Sequence, residues 1–442
     1  MRAGRLPAGK PRLPCRHFPP GGVCRRGRAF AGNPGMNLLF LADVSASRVI
    51  GGAERVLAEQ ARGLARRGHR VTVLSRGRAP GEAEEEALAE RVREIRCPFD
   101  PERPHRLLTA TWPAVRRGMK RLRREGAVDC LIIHQPIAAL GAALGQPASP
   151  PAVYTCHSLA HEEYLSRHPG AGLNRRVQAG IRRLIERRVI GSCGRVVTLS
   201  EYSAQKVHRV HGIPAGRIAV IPGGVDLARF RPAADRAGLR RRLGLPPGAR
   251  LLLTVRNLVP RMGLETLIAA MARVAPEAPG AVLWIGGEGP LRRALEETAQ
   301  ALGLAGQVRF LGFVPEERLP ELYAAADLFV LPSRELEGFG MVTLEALASG
   351  LPVLATPVGG SCEILAPLGE GFLLEDAGVE ALARGMRSFL ERLEADASAA
   401  PRLAAACRRH AESRYGWDRH LERLEALFAT LSPAPARRAK TD

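Results

Sequence analysis

Short apolar runs recur along this chain of 442 residues, and each is followed by a glycine-rich or polar turn and then by good helix formers. In the first half they lie at 37–42, 71–74, 128–134, 153–157, 195–200 and 219–226. In the second half they lie at 251–255, 281–285, 308–311, 328–331 and 353–355, with a weaker one at 371–374. Runs this short, closed by turn residues, predict buried strands. Strands that alternate with helices argue parallel sheets covered on both faces. Two such series predict an α/β protein of two doubly wound domains facing across a cleft. Residues 229–248, dominated by Arg, Pro and Gly, read as a linker region. The expected divisions are a disordered basic leader at 1–35, domains at 36–225 and 226–414, and a closing helix and tail at 415–442.

One junction carries most of the chemistry. The run 328–331 is followed by Pro332-Ser333-Arg334-Glu335-Leu336-Glu337-Gly338-Phe339-Gly340 and then by helix formers that stop at Gly350. In an open parallel sheet a strand-to-helix turn lies at the carboxyl edge, where ligands bind. Gly338 and Gly340 free backbone amides to approach an anion, and the helix N-terminus adds its positive dipole end. Glu337 sits on the turn, and Glu345 lies about two helical turns further on. A second glycine loop, Gly51-Gly52, opens the helix after the first strand and offers another anion site. It is not G-x-G-x-x-G, and no well-placed acid follows 71–74 to hold a ribose, so a nicotinamide cofactor is disfavoured. His157 falls at the carboxyl end of its strand, where a site role competes with simple packing.

The formal net charge of +21 points to an anionic partner. Eight basic and no acidic residues in 1–35 supply part of it, in a segment that is a tether to an anionic surface or an artefact of the gene start, with folding beginning at Met36. A basic amphipathic helix is expected at 112–124, with Val115, Met119 and Leu122 on one side. It fits a surface helix whose Arg stems cover the core, or one that lies on an anionic membrane. A second basic helix is expected at 174–188, and an acidic helical patch at 81–94. No apolar run approaches a membrane span. The eight scattered cysteines suit a reduced, cytoplasmic protein, peripheral on the inner face of the membrane if it binds there. The basic residues are spread among helices without interleaved aromatics, which argues against nucleic acid.

The stretch from Glu337 to Glu345 resembles the E-x₇-E motif of family 4 retaining glycosyltransferases of the GT-B fold, built from two Rossmann-like domains. Gly286-Gly287-Glu288-Gly289-Pro290, Phe310-Leu311-Gly312-Phe313-Val314, the 326–333 segment and Thr356-Pro357-Val358-Gly359-Gly360 follow the same pattern. The resemblance covers roughly residues 36–430. It implies transfer of a sugar from a nucleotide-sugar donor, held by the C-terminal domain, to an acceptor on the N-terminal domain. The acceptor would be a small molecule, lipid-linked or part of the envelope. The resemblance also implies retention of configuration and no requirement for a metal or other cofactor. It assigns Glu337, Gly338, Phe339 and Gly340 to the donor sugar and phosphate, Glu345 to the ribose, Gly51 and Gly52 to the phosphates, and His157 to the reacting centre. In the tail, Leu421, Leu424, Leu427 and Phe428 mark a helix that crosses back to the first domain.

There are two departures. Gly223 stands where the family has Asn in Asn-Gly-Val-Asp. Asn257 and Met262 stand where it has the Arg and Lys that grip the diphosphate, although Arg256 and Arg261 precede them. Arg261, in a loop before a helix, is expected to replace the Lys, and Arg256, at a strand end, to contribute less. The rival reading is a non-catalytic binder of a nucleotide sugar or polyanion on the same fold.

Overall fold

The computed structural model describes residues 35–47, 51–76, 83–97, 107–143, 150–168 and 172–431. Apart from Gly35, the basic leader expected at 1–35 lies outside the described residues, as does the tail beyond 431.

The first half builds one sheet from β1 (Asn37–Leu41), β2 (Arg70–Arg76), β3 (Glu85–Ala89), β4 (Val92–Cys97), β5 (Cys130–Ile133), β6 (Ala152–Cys156), β7 (Arg195–Thr198) and β8 (Ile218–Val220). Its order is β3-β4-β2-β1-β5-β6-β7-β8, parallel except for the β3–β4 pair. The second half builds a parallel sheet from β9 (Arg250–Val255), β10 (Ala281–Gly286), β11 (Val308–Gly312), β12 (Leu328–Leu331) and β13 (Val353–Ala355), in the order β11-β10-β9-β12-β13. Helices cover both faces, so central strands are apolar at every position: Leu38 to Leu41 and Leu328 to Leu331 are all buried. In both sheets the first strand is central and the order reverses beside it. This is the doubly wound arrangement expected, and it opens a crevice beyond the strand ends.

Two expectations are corrected. The acidic stretch at 81–94 is not helical where it is described: it supplies β3 and the start of β4. Glu, Ala and Leu there favour a helix, but an antiparallel edge sets Glu85 beside Arg93 and Arg121, and Glu86 beside Arg96. Tertiary pairing overrides the weak local preference. At 371–374 there is one bridge, Ala355 to Leu373, not a strand. The helix expected at 112–124 forms, as Trp112–Glu125, and of its two readings the surface helix that covers its own core is the one the packing matches. Val115, Met119 and Leu122 are buried in the core of the first half.

The helix Trp417–Ala429 returns to the first half. Leu421, Leu424 and Phe428 pack with Leu57, Ala61 and Leu64 of the helix Gly52–Arg66. Its entry runs beside the other crossing between the halves: the Val225 amide donates to the Tyr415 carbonyl at 2.7 Å, and Val225 bridges Gly416. His420 Nδ1 bonds the Pro222 carbonyl at 2.7 Å, and its Nε2 meets the Gln60 amide at 2.8 Å. Two chain crossings are thus fastened into one joint.

Candidate active site

β9 and β12 are hydrogen-bonded neighbours, with Leu252 beside Leu328 and Leu253 beside Phe329. The chain leaves β9 toward β10 on one side and leaves β12 toward β13 on the other. The loops after them, 256–263 and 332–340, therefore converge at the switch point. Gly263 lies so close to the Pro332 carbonyl that a Cβ would overlap it, and its φ of 69° also favours glycine.

Arg256 directly follows β9 and turns inward at 8% exposure. Its guanidinium donates to Glu337 Oε2 at 2.6 Å and to Ser333 Oγ at 3.1 Å. Ser333 Oγ donates to the same carboxylate oxygen at 2.9 Å. Met262 is also buried, with its sulfur 2.6 Å from an Arg256 nitrogen, whereas Asn257 is exposed. Arg261 is half-buried and donates to the Leu336 carbonyl at 3.3 Å. Leu336 is held at a φ of 58°, an uncommon state for a side-chain-bearing residue. Burial, and then the neighbouring Arg256, lower the Arg261 pKa, while Glu163 and Glu337 oppose that shift. So Arg256 clamps Glu337, and Arg261 brings a second guanidinium alongside.

The first half meets these loops from the opposite side. Gly51 caps the helix Gly52–Arg66, and Gly52 faces Met341, the first residue of the helix Met341–Ala348 capped by Gly340. The Gly338 carbonyl accepts from Ser200 Oγ at 2.6 Å and Ser203 Oγ at 3.1 Å. A Cβ on Gly338 would stand 2.6 Å from the His157 carbonyl, so this close approach needs glycine. Phe339 is buried against Tyr415 and Gly223. His157 is half-buried, stacks on His134 and shares a 2.9 Å hydrogen bond with it. Burial lowers the His157 pKa to about 4, so near neutrality the ring is an uncharged hydrogen-bonding group. Next to it a crevice is lined by Ser158, Glu162, Tyr202, Lys206 and Gly338.

Glu345 is set in a separate network. At 2% exposure it accepts from the Tyr323 hydroxyl at 3.0 Å and pairs with Arg55 of the first half at 2.6 Å. Burial raises its pKa despite the cation. Arg55 also pairs with Glu316, whose other oxygen lies 2.9 Å from Arg229. Glu363 accepts the Glu201 and Tyr202 amides at 2.9 and 2.7 Å, capping a first-half helix from the second half. The two halves are closed on each other through these contacts.

The structure therefore brings His157 and Gly338 to one crevice, whose lining includes Leu336, and joins Arg256, Glu337 and Ser333 in a buried clamp in the adjoining loops, where Arg261 holds the Leu336 carbonyl. Gly51, Gly52, Phe339 and Gly340 lie where the two halves meet. Asn257 and Glu345 point elsewhere. Ser333, Arg55, Tyr323, His134, Ser200 and Ser203 were not among the expected site residues. Ser333 lies inside the singled-out stretch, and Arg55 lies three residues past the Gly51-Gly52 loop, but nothing local shows what either side chain touches. Ser200 carries a helix-capping signal only.

A family model described as Glycosyltransferase Family 4 matches residues 50–229, and one described as Glycosyl transferases group 1 matches residues 235–402. The D-inositol 3-phosphate glycosyltransferase of Geodermatophilus obscurus is 34% identical over 291 residues, covering 63% of this chain and 61% of that protein. The GDP-mannose-dependent alpha-(1-6)-phosphatidylinositol monomannoside mannosyltransferase of Mycobacterium tuberculosis is 34% identical over 247 residues, covering 54% and 62%. The matches thus span about three fifths of these curated relatives' length. The sucrose-phosphate synthase of Thermosynechococcus elongatus superposes with a TM-score of 0.75 at 25% identity, over 89% of this chain and 99% of that one. The two family models fall one on each half, and the halves share the doubly wound plan: the chain belongs to the family 4 glycosyltransferases of the GT-B fold.

Proposed function

We propose that this chain moves a sugar from a nucleotide-sugar donor to a hydroxyl-bearing acceptor, with retention of configuration. The observation that carries the reading is the Arg256–Glu337–Ser333 clamp at the switch point, with Arg261 beside it and a helix N-terminus opposite. Glu337 is fixed to bind donor hydroxyls. Arg261 and the amides after Gly51 and Gly340 face the place for a diphosphate. Negative charge grows on that leaving group, so fixed donors there stabilise the transition state more than the ground state. In this reading the guanidinium and amides supply the neutralisation, without a metal ion. Closure through Gly338 and Glu363 limits donor hydrolysis by excluding water. Glu345 holds the ribose only if the donor displaces or shares Arg55.

The acceptor enters from the His157 side. The names of the relatives, an inositol phosphate glycosyltransferase and a phosphatidylinositol monomannoside mannosyltransferase, support a polyol phosphate or a lipid-linked acceptor. The second would place the enzyme at an anionic membrane surface.

Incubation with a panel of sugar nucleotides tests the reading. The expected result is release of nucleoside diphosphate from at least one donor, with the product keeping the donor's anomeric configuration. One observation favours the non-catalytic alternative: neither Asn257 nor Met262 carries a charge. Thermal stabilisation by a sugar nucleotide without turnover would decide for it.

A further inference from the structure

The helix Leu173–Ser192 carries an unusual surface. Among the described residues six large apolar side chains are exposed, and four of them lie on this one helix: Leu173 at 78%, Val177 at 50%, Ile181 at 46% and Leu184 at 69%. The spacing i, i+4, i+8, i+11 puts them in one stripe. The other two, Leu302 and Phe313, lie elsewhere in the chain.

The stripe points away from the protein because the opposite side of the helix is firmly held. Ala179, Glu186, Val189 and Ile190 are buried. Glu186 accepts from the Tyr154 hydroxyl at 2.9 Å and meets His211 Nε2 at 3.0 Å. Arg182 stacks over the Tyr164 ring at 3.9 Å, and Arg175 donates to the Leu165 carbonyl. Rotating the stripe inward would break all of these.

The charges around the stripe identify what it fits. Arg176, Arg183, Arg187 and Arg188 are exposed along its flanks, and the helix's one acidic residue, Glu186, is fully buried. An apolar ridge edged by cations and free of exposed acids matches an anionic lipid surface: acyl chains take the ridge and headgroups take the guanidinium groups. A second copy of the chain would set arginine against arginine. The other basic helix, Trp112–Glu125, lacks the apolar half of this pattern, and its Arg121 is paired with Glu85 and Glu125.

We propose that Leu173–Ser192 is the face by which the protein lies on an anionic bilayer. It packs on the helix Ala160–Arg167, whose Glu162 lines the crevice beside His157, so a lipid-linked acceptor would lie close to the reacting centre. That last step rests on the transfer reading; the surface itself does not.

The test is sedimentation of the full chain with vesicles of phosphatidylglycerol and phosphatidylcholine, and with phosphatidylcholine alone, at low and physiological salt. The wild type should bind the anionic vesicles. Leu173→Ser, Val177→Ser, Ile181→Ser and Leu184→Ser together should weaken binding about tenfold or more, since buried apolar area sets such affinity. Their exposure predicts an unchanged melting temperature. Arg116→Glu, Lys120→Glu and Arg123→Glu on the other helix should weaken it far less. Wild-type affinity in the serine variant would overturn the proposal, as would no vesicle binding by the wild type at low salt. A wild type that self-associates through the stripe instead of binding vesicles would assign it to a second copy. Nucleoside diphosphate release is read separately with donor alone: its absence in a protein that binds vesicles would sink the transfer reading and leave the surface standing.

Discussion

Arg256 and Arg261 are both arginines one residue ahead of a lost family position, yet they have different roles. Successive side chains on a strand point to opposite faces. Arg256 is at the end of β9 and turns into the protein, where it meets Glu337. Arg256→Ala would leave that carboxylate buried beside a cavity and should cost about 3–5 kcal/mol of stability by urea unfolding, the usual penalty for removing one partner of a buried pair. Arg261 is half-buried in a loop. Arg261→Ala should leave the unfolding midpoint nearly unchanged but weaken donor affinity about 10- to 150-fold, the loss of one charge-assisted contact. Glu337→Gln keeps the shape of the clamp but removes its charge, and kcat should fall about 10²-fold or more. Full activity in a folded Glu337→Gln would place the site elsewhere. The positions of these residues were readable from the motif spacing. The partner of Arg256 was not, because it lies 81 residues away in sequence.

At the scale of elements, helix ends and helix joints tie the two halves together. The Gly52–Arg66 helix presents its N-terminus to the cleft while Arg55, in its first turn, reaches Glu345 of the opposing half. If the donor displaces or shares Arg55, Glu345→Gln should raise donor KM about tenfold with little change in kcat, since a ribose contact serves ground and transition states alike; an unchanged KM would leave Glu345 as the partner of Arg55 and Tyr323 alone. At the other joint, the closing helix is tied to Pro222 and Gln60 by His420, whose pKa burial lowers to about 4 from an ordinary 6.5. His157 is lowered to about the same value. Between pH 6.5 and 4 the unfolded chain therefore binds more protons than the folded one. The contribution of these rings is complete above 6.5 and is lost as the pH falls toward 4. Urea midpoints measured at pH 7 and pH 5 should show the decline, and His420→Gln should flatten it. An equal decline in the variant would assign the acid sensitivity to other groups. The acidic edge at β3 shows the limit of reading elements locally. Glu85 to Ala89 are helix formers by composition, and only Arg93, Arg96 and Arg121, brought alongside by folding, make a strand the better state.

At the scale of the whole molecule, among the described residues the chain crosses between its halves twice and fastens both crossings. Leu424, fully buried, lies near the end of the sequence but packs in the core of the first half. Leu424→Ala should cost about 2–5 kcal/mol. Hydrogen exchange should then show lost protection in Gly52–Arg66; a loss confined to the second half would contradict this joint. The alternation of short apolar runs with helices determined the two parallel sheets, because burial on both faces demands continuous apolar strands and crossover connections demand helices. The motif spacing placed Glu337, His157 and the glycine loops at carboxyl strand ends for the same reason. Local pattern carries no information about long-range side-chain partners. Only the tertiary structure decided that Arg256 serves Glu337, that Arg55 crosses to Glu345, and that of two basic helices one buries its apolar side while the other shows it to solvent. Both helices are amphipathic and rich in arginine; which face is left without a partner depends on what the rest of the fold packs against it.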